Sequence, residues 1–201
     1  MKIIFISGPS GSGKTTLSNK IKSKIQNGTV LSTDNYYKTG LISKLLSKFV
    51  IGYFDRRISF NYKLLKKDLN FIRNNGISII DRSYNFENKK IESFFNEKNN
   101  IKYIIVEGIF ASKISRTINN QNYFFLELKM NKNECMKRVV KRDSKERGKI
   151  KQKAKNDFLI SWNIYYENLK NKSIKNNINE IIITETSNIN QILEKLFNLK
   201  P

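Results

Sequence analysis

Gly8-Pro9-Ser10-Gly11-Ser12-Gly13-Lys14-Thr15 matches the phosphate-loop pattern G-x-x-x-x-G-K-[ST] in full. The apolar run Lys2-Ile3-Ile4-Phe5-Ile6 leads into it, and a helix-compatible stretch over 15–24 follows. Strand, loop and helix in that order are the context the pattern requires. The glycines let the backbone curl so that its N–H groups point inward at phosphate oxygens. The chain from Gly13 to Thr15 opens the helix and sets its positive dipole end under the same phosphates. Gly8, Ser10, Gly11, Ser12, Gly13, Lys14, Thr15 and Thr16 are therefore the expected nucleotide-binding residues. Lys14 reaches the β- and γ-phosphates, and the Thr15 hydroxyl is placed to ligate Mg²⁺.

Further along the chain, apolar runs alternate with helical periodicities. Strands are expected at 2–7, 29–32, 77–80, 103–106, 123–128 and 181–184. Helices are expected at 14–25, 41–49, 62–73, 111–118, 132–142, 158–169 and 189–197. In the 62–73 stretch Leu64, Leu65, Leu69 and Ile72 share one face, and Gly76 suits a left-handed cap. The stretch 81–89 reads as loop or hairpin. The run Tyr103-Ile104-Ile105-Val106 is apolar throughout, as a strand buried on both faces requires. This alternation predicts an α/β fold: a parallel sheet of the P-loop NTPase type, flanked by helices on both sides. The phosphate loop then lies at the carboxyl end of strand 1, where such sheets bind ligands.

The bulk numbers narrow the classes. The chain has 201 residues, enough for one α/β unit over 1–201, with 38 basic and 17 acidic residues and a net charge of +21. It has no histidine, which excludes histidine metal sites, Ser–His–Asp triads and histidine bases. Acid–base work falls to carboxylates, lysines, tyrosines or water. The single cysteine, Cys135, fits a reducing cytoplasm and excludes an internal disulfide. The charge attracts polyanions, but the lysines are scattered beside Asn and Ile. That pattern favours solvated faces over a nucleic-acid surface. No apolar run approaches the ~20 residues of a membrane span, and no leader segment is expected ahead of strand 1.

Three further features bear on chemistry. Glu107 ends the buried run at Ile104-Ile105-Val106-Glu107-Gly108, where a carboxylate can help hold Mg²⁺. Asp34, in Leu31-Ser32-Thr33-Asp34, is placed to accept the proton of an attacking hydroxyl or to help hold the metal, and it also reads as a helix N-cap or turn acid. Arg138, Lys141 and Arg142 share a helix face ahead of Gly148, so the segment around 142–156 is expected to close over a bound triphosphate as a basic lid.

The loop Gly8–Thr16, the string Thr33-Asp34-Asn35-Tyr36-Tyr37-Lys38 and the string Arg142-Asp143-Ser144-Lys145-Glu146-Arg147-Gly148 stand in the order found in uridine (uridine/cytidine) kinases. These belong to the wider phosphoribulokinase/uridine kinase group. Phe54-Asp55 through Phe60, Ser83-Tyr84-Asn85-Phe86 and Glu107-Gly108-Ile109 also resemble segments of that family. The resemblance spans nearly the whole chain. It implies ATP- or GTP-dependent phosphorylation of a nucleoside 5′-hydroxyl, with uridine or cytidine as acceptor. Lys14 and the loop amides would hold the triphosphate, with Thr15 and Glu107 on Mg²⁺. Asp34 would be the base, Tyr37 and Tyr84 the nucleoside contacts, and Arg142 and Arg147 the lid arginines. The chain departs from the family at three places. Ile58 stands where the family has a ribose-binding Asp, with Asp55 as a neighbouring substitute. Lys89 stands where a base-contacting His is usual, and Val139 replaces a helix Arg. Substrate contacts are thus expected at Tyr37, Asp55, Tyr84 and Lys89. Phosphoryl transfer is better supported than uridine as the acceptor. The rival readings are the same chemistry on another small hydroxyl acceptor, and a non-catalytic nucleotide- or RNA-binding regulator. The implied partner is a small-molecule nucleoside, with neither nucleic acid nor membrane involved. Self-association is left open.

Overall fold

The computed structural model describes residues 1–85, 88–115, 123–170 and 179–198. Five parallel strands form its main sheet: β1 (Lys2–Ser7), β2 (Gly28–Ser32), β5 (Tyr103–Glu107), β6 (Tyr123–Leu128) and β7 (Glu180–Ile183), in the order β2-β5-β1-β6-β7. β1 and β5 are central and pair in register from Lys2↔Tyr103 to Ile6↔Glu107. A central parallel strand is covered on both faces, which is why Ile3, Ile4, Phe5 and Ile6 are all apolar and all fully buried.

Alternation along β1 divides the core in two. Ile3 and Phe5 join Leu31, Ile104 and Val106 on one face, under Leu65, Leu69 and Ile72 of α3 (Tyr62–Asn75). Ile4 and Ile6 join Ile105 and Leu126 on the other face, under Leu17 and Ile21 of α1 (Lys14–Lys24) and the apolar face of α7 (Ile189–Asn198). Each such buried aliphatic side chain contributes about 1.5–3 kcal/mol relative to exposure. The helices are delimited by their caps. Asn61 accepts from the Leu64 N–H at 3.2 Å to start α3, and Gly76, at φ 68°, ends it in the left-handed conformation. Asn131 accepts from the Asn133 N–H at 2.8 Å to start α5 (Lys132–Glu146).

Three regions differ from the sequence expectation. The strand expected at 77–80 is not in the main sheet. It begins β3 (Ser78–Asn85), which pairs antiparallel with β4 (Lys90–Lys98) as a separate two-stranded ribbon. Polar residues beyond Ile80 suit a ribbon exposed to water better than a covered parallel strand. The lid segment is largely helical: α5 runs on to Glu146 and α6 (Lys151–Lys170) begins well before 158, leaving only 147–150 between them. Alternating lysines do not break a helix, because their stems retain good helix propensity. The helix expected at 111–118 is α4 (Ala111–Ser115), and the rest of that stretch, like Phe86, lies outside the described residues. The stretch at 41–49 is helical as expected and forms α2 (Leu41–Phe49).

Candidate functional site

The phosphate loop leaves the carboxyl end of β1 and enters α1 with Gly13 as the cap residue. Gly11 has φ 79°, and a Cβ there would lie 2.5 Å from the Cys135 carbonyl oxygen. The loop is thus pressed onto the first turns of α5, which fixes its curl. The N–H groups of Lys14, Thr15 and Thr16 open α1 and have no partner within it, as in any first helical turn. The Ser12 hydroxyl is buried without a hydrogen-bond partner among the described residues. Orphaned donors around a curled loop are what a phosphate cradle presents. The Lys14 ammonium lies over the loop and donates to the Pro9 carbonyl at 3.0 Å. Burial lowers its pKa, and the charges of Asp34 and Glu107 resist that shift.

Glu107 ends β5, and the parallel register sets it beside Ile6 of β1 and Ser32 of β2. The Ser32 hydroxyl donates to Glu107 Oε1 at 2.6 Å. Burial raises the Glu107 pKa; hydrogen bonds from the Ser32 and Thr15 hydroxyls and the charge of Lys14 oppose the rise, while Asp34 adds to it. Thr15 and Glu107, predicted as the metal pair, therefore lie near enough for the Thr15 hydroxyl to act on the carboxylate. The Glu107 carboxylate and the Ser32 and Thr15 hydroxyls offer only oxygen donors beside the phosphate cradle, which fits a small hard cation. No cluster of three or more acidic, Cys or His ligands occurs among the described residues. That also suits Mg²⁺, which takes one or two carboxylates and completes its shell with water and substrate phosphate.

The next residue, Gly108, has φ 135°, and a Cβ there would collide with the Thr33 side chain. This close approach holds the 33–35 turn against the end of β5 and so presents Asp34 to the cradle. Asp34 is exposed, no described side chain hydrogen-bonds it, and it caps no helix. Its charge acts on Lys14, Glu107, Tyr37 and Asp55 alike.

Beyond Asp34 lies an aromatic wall. The Tyr37 ring packs edge-on against Phe54 and against Tyr84, each at 5.1 Å between centroids. Burial pushes the Tyr84 phenol up to about 12 and the Tyr37 phenol well above its ordinary value. Both stay protonated near neutral pH, so they can donate hydrogen bonds but not serve as bases. Asp55 borders this wall. Burial raises its pKa to about 6, against the pull of a 2.6 Å hydrogen bond from the Ser161 hydroxyl of α6, and Asp34 raises it further. Ile58 is 48% exposed, so position 58 faces solvent while Asp55 faces the site. Lys89, at the ribbon's turn, donates to the Ser47 hydroxyl of α2 at 2.6 Å.

The cations expected to form a lid converge on one carboxylate. Asp143 is 4% exposed and accepts from Arg142 at 2.8 Å, with Arg147 at 3.5 Å and Lys149 at 3.4 Å. Burial works against its ionisation, but Arg142, Arg147 and Lys149 outweigh it and hold the carboxyl below its ordinary pKa. Arg142 acts on Lys14, and Arg147 acts on Tyr37. The charge of Arg142 is thus felt at the phosphate cradle and that of Arg147 at the aromatic wall.

The pattern of the phosphoribulokinase/uridine kinase family matches residues 3–176. The chain belongs to that family. Its phosphate loop, carboxyl-ended β5 and the basic α5–α6 junction all fall inside the matched region. A uridine kinase of Staphylococcus haemolyticus is 30% identical over 78% of this chain and 75% of that protein. A uridine kinase of Borrelia duttonii is 39% identical over 54% of this chain, and the match spans about half, 52%, of that protein's length. Among solved structures, the D-glycerate 3-kinase of Cryptococcus neoformans superposes with a TM-score of 0.60 at 14% identity, over 91% of this chain and 86% of the other. YFH7 of Saccharomyces cerevisiae superposes with a TM-score of 0.65 at 10% identity, over 92% and 93%. These two show a shared P-loop kinase fold.

Sequence reasoning missed Ser32, Ser161 and the organising role of Asp143. Ser161 lies 106 residues from Asp55 and carries no local signal. Asp143 was visible only as one letter of the lid string.

Proposed function

We propose that this chain is a Mg²⁺-dependent nucleoside kinase. It transfers the γ-phosphoryl of ATP or GTP to the 5′-hydroxyl of a pyrimidine nucleoside, uridine or cytidine, and yields the 5′-monophosphate. The observation that carries the proposal is the convergence of Lys14, Asp34 and Glu107 at the mouth of the phosphate loop, with an aromatic wall beside Asp34. Family membership and the uridine kinase relatives support a nucleoside as the acceptor class.

In this reading the loop amides and Lys14 hold the triphosphate, and Thr15 and Glu107 hold the metal. A bound Mg²⁺ supplies neutralisation of charge on the β- and γ-oxygens. Asp34 accepts the proton of the acceptor hydroxyl as its oxygen attacks phosphorus. Asp55 accepts hydrogen bonds from the ribose hydroxyls, in place of a group at position 58. Tyr37 and Tyr84 flank the nucleoside, and Lys89 lies at its outer rim. Arg142 and Arg147 close over the transferring group as part of a lid at 142–156. Little covalent help is needed, because phosphoryl transfer is accelerated mainly by positioning and charge stabilisation.

Coupled ADP release tests this with MgATP or MgGTP and a panel of uridine, cytidine, adenosine, fructose and D-glycerate. Turnover is expected with the pyrimidine nucleosides, with 5′-monophosphate as product. Turnover confined to a sugar or to glycerate would move the acceptor to another class, and none with any hydroxyl would refute the kinase reading.

A further inference from the structure

Helix α2 is built inside out. At 100° per residue, Ser43 and Ser47 fall on one side, and Leu41, Ile42, Leu45 and Phe49 on the other. The serines face the protein. The Ser43 hydroxyl donates to the Lys38 carbonyl at 2.7 Å and shares a hydrogen bond with the Tyr53 hydroxyl at 2.8 Å. Ser47 receives the Lys89 ammonium. The leucine side faces out: Leu41, Ile42, Leu45, Phe49 and the following Ile51 are between 58% and 84% exposed. Single exposed apolar residues are ordinary, but four on one short helix and a fifth just beyond it mark a surface that something covers.

Charge indicates what covers it. From Asn35 to Phe54 there is no acidic residue, and the segment carries Lys38, Lys44 and Lys48. Lys44 and Lys48 are one turn apart and line one edge of the apolar arc. A second copy docked with its α2 antiparallel across a two-fold axis would set these lysines beside their equivalents, with no carboxylate on α2 to pair them, in a chain of net charge +21. An apolar face of Leu, Ile and Phe edged by lysines is instead the pattern of a helix lying in a bilayer interface. No helix among the described residues is long and apolar enough to cross a membrane, so such contact is peripheral.

We infer that α2 docks on an anionic bilayer surface. Leu41, Ile42, Leu45, Phe49 and Ile51 enter the headgroup–acyl boundary, and Lys38, Lys44 and Lys48 meet lipid phosphates. This narrows the expectation of no membrane to no membrane span, and it is independent of the phosphoryl-transfer reading.

Co-sedimentation of the full chain with phosphatidylglycerol/phosphatidylcholine vesicles tests it. Pure phosphatidylcholine vesicles and lipid-free sedimentation velocity serve as controls. Binding is expected on the anionic vesicles and several-fold weaker on the neutral ones, falling as salt rises from about 0.1 M to about 0.5 M. Leu45→Ser/Phe49→Ser leaves the charge unchanged and alters only exposed side chains, so circular dichroism and melting should match the parent while vesicle binding is lost. Lys44→Gln/Lys48→Gln is expected to weaken binding by about fivefold per lysine. The inference is overturned if the parent stays in the supernatant with anionic vesicles. It is overturned if the serine variant sediments as the parent does, since the overall charge would then be sufficient. A lipid-free dimer abolished by the serine variant would also overturn it and assign the face to a second copy.

Discussion

Asp34, Asp55 and Glu107 are three carboxylates whose surroundings set different tasks. Glu107 is buried, accepts a hydrogen bond from the Ser32 hydroxyl and lies near Thr15 and Lys14, which suits a group that holds a cation. Asp34 is exposed on a turn, and among the described residues no side chain hydrogen-bonds it in competition with an incoming proton. Asp34→Asn keeps the shape and removes the base. It is expected to lower kcat by about 10²–10⁴, with MgATP affinity unchanged by equilibrium titration; full turnover would remove Asp34 from the chemistry. Asp55 differs again, because burial lifts its pKa to about 6. A carboxyl whose folded-state pKa exceeds the unfolded value binds its proton more tightly when folded. Its ionisation therefore costs stability, and that cost grows as pH rises through the interval from the ordinary carboxylate pKa to about 6. Asp55→Asn keeps an oxygen for Ser161 to donate to. It should raise the melting temperature at pH 8 and leave it nearly unchanged at pH 4. In kinetics the parent's acceptor KM should climb below about pH 6, and the variant's should be high and flat.

At the scale of elements, the site depends on close approaches between strand ends and turns. Gly108 touches Thr33 where a side chain would collide, whereas Gly76 has a left-handed backbone with nothing within 4 Å of a Cβ. Gly76→Ala is expected to cost about 1 kcal/mol from backbone strain alone. Gly108→Ala should cost more, by about 1–3 kcal/mol, and denaturant titration of the two variants compares them directly. Asp143 ties α5 to the 147–149 linker by binding three cations at once. Asp143→Asn removes their shared anchor while leaving Arg142, Arg147 and Lys149 present, and Lys149 keeps its 2.7 Å ion pair with Asp157. It should raise the KM for MgATP and make it more salt-sensitive; if both stay unchanged, Asp143 is a packing residue only. The elements that were legible are those whose pattern is local. The phosphate loop places α1 to within a residue, and Glu107 follows from a run that ends in acid. The apolar spacing at 41–49 also identifies a helix, but periodicity fixes only that a face exists. Which way it points depends on Ser43 and Ser47 finding Lys38, Tyr53 and Lys89, partners up to 42 residues away. The 78–98 ribbon and the contact of Ser161 with Asp55 were hidden for the same reason: long-range pairing leaves no mark on neighbouring residues.

For the whole molecule, the governing question is how a chain of net charge +21 separates its specific triphosphate site from general attraction to polyanions. Distance and screening separate them. Scattered surface lysines act through water and are screened within about 8–10 Å at physiological salt. Lys14 and the loop amides act at contact, in a cradle where orphaned donors gain direct partners, so they are screened far less. The two modes then respond differently to salt. A ligand held by the native state alone stabilises it by about 2.7 kcal/mol at a hundredfold excess over its dissociation constant. For a chain of this size each 1 kcal/mol moves the melting temperature by about 2–4 °C. MgATP at that excess should therefore raise the melting temperature by about 5–10 °C, and most of the rise should persist in about 0.3 M salt. Polyphosphate or bulk RNA, binding through the dispersed lysines, should lose its effect over the same range. Lys14→Met changes the net charge by only one in twenty-one, so it should leave the polyanion response intact while abolishing the MgATP shift. If both responses fall together with salt, and Lys14→Met affects neither, the nucleotide is held by the surface field and the cradle is not the binding site.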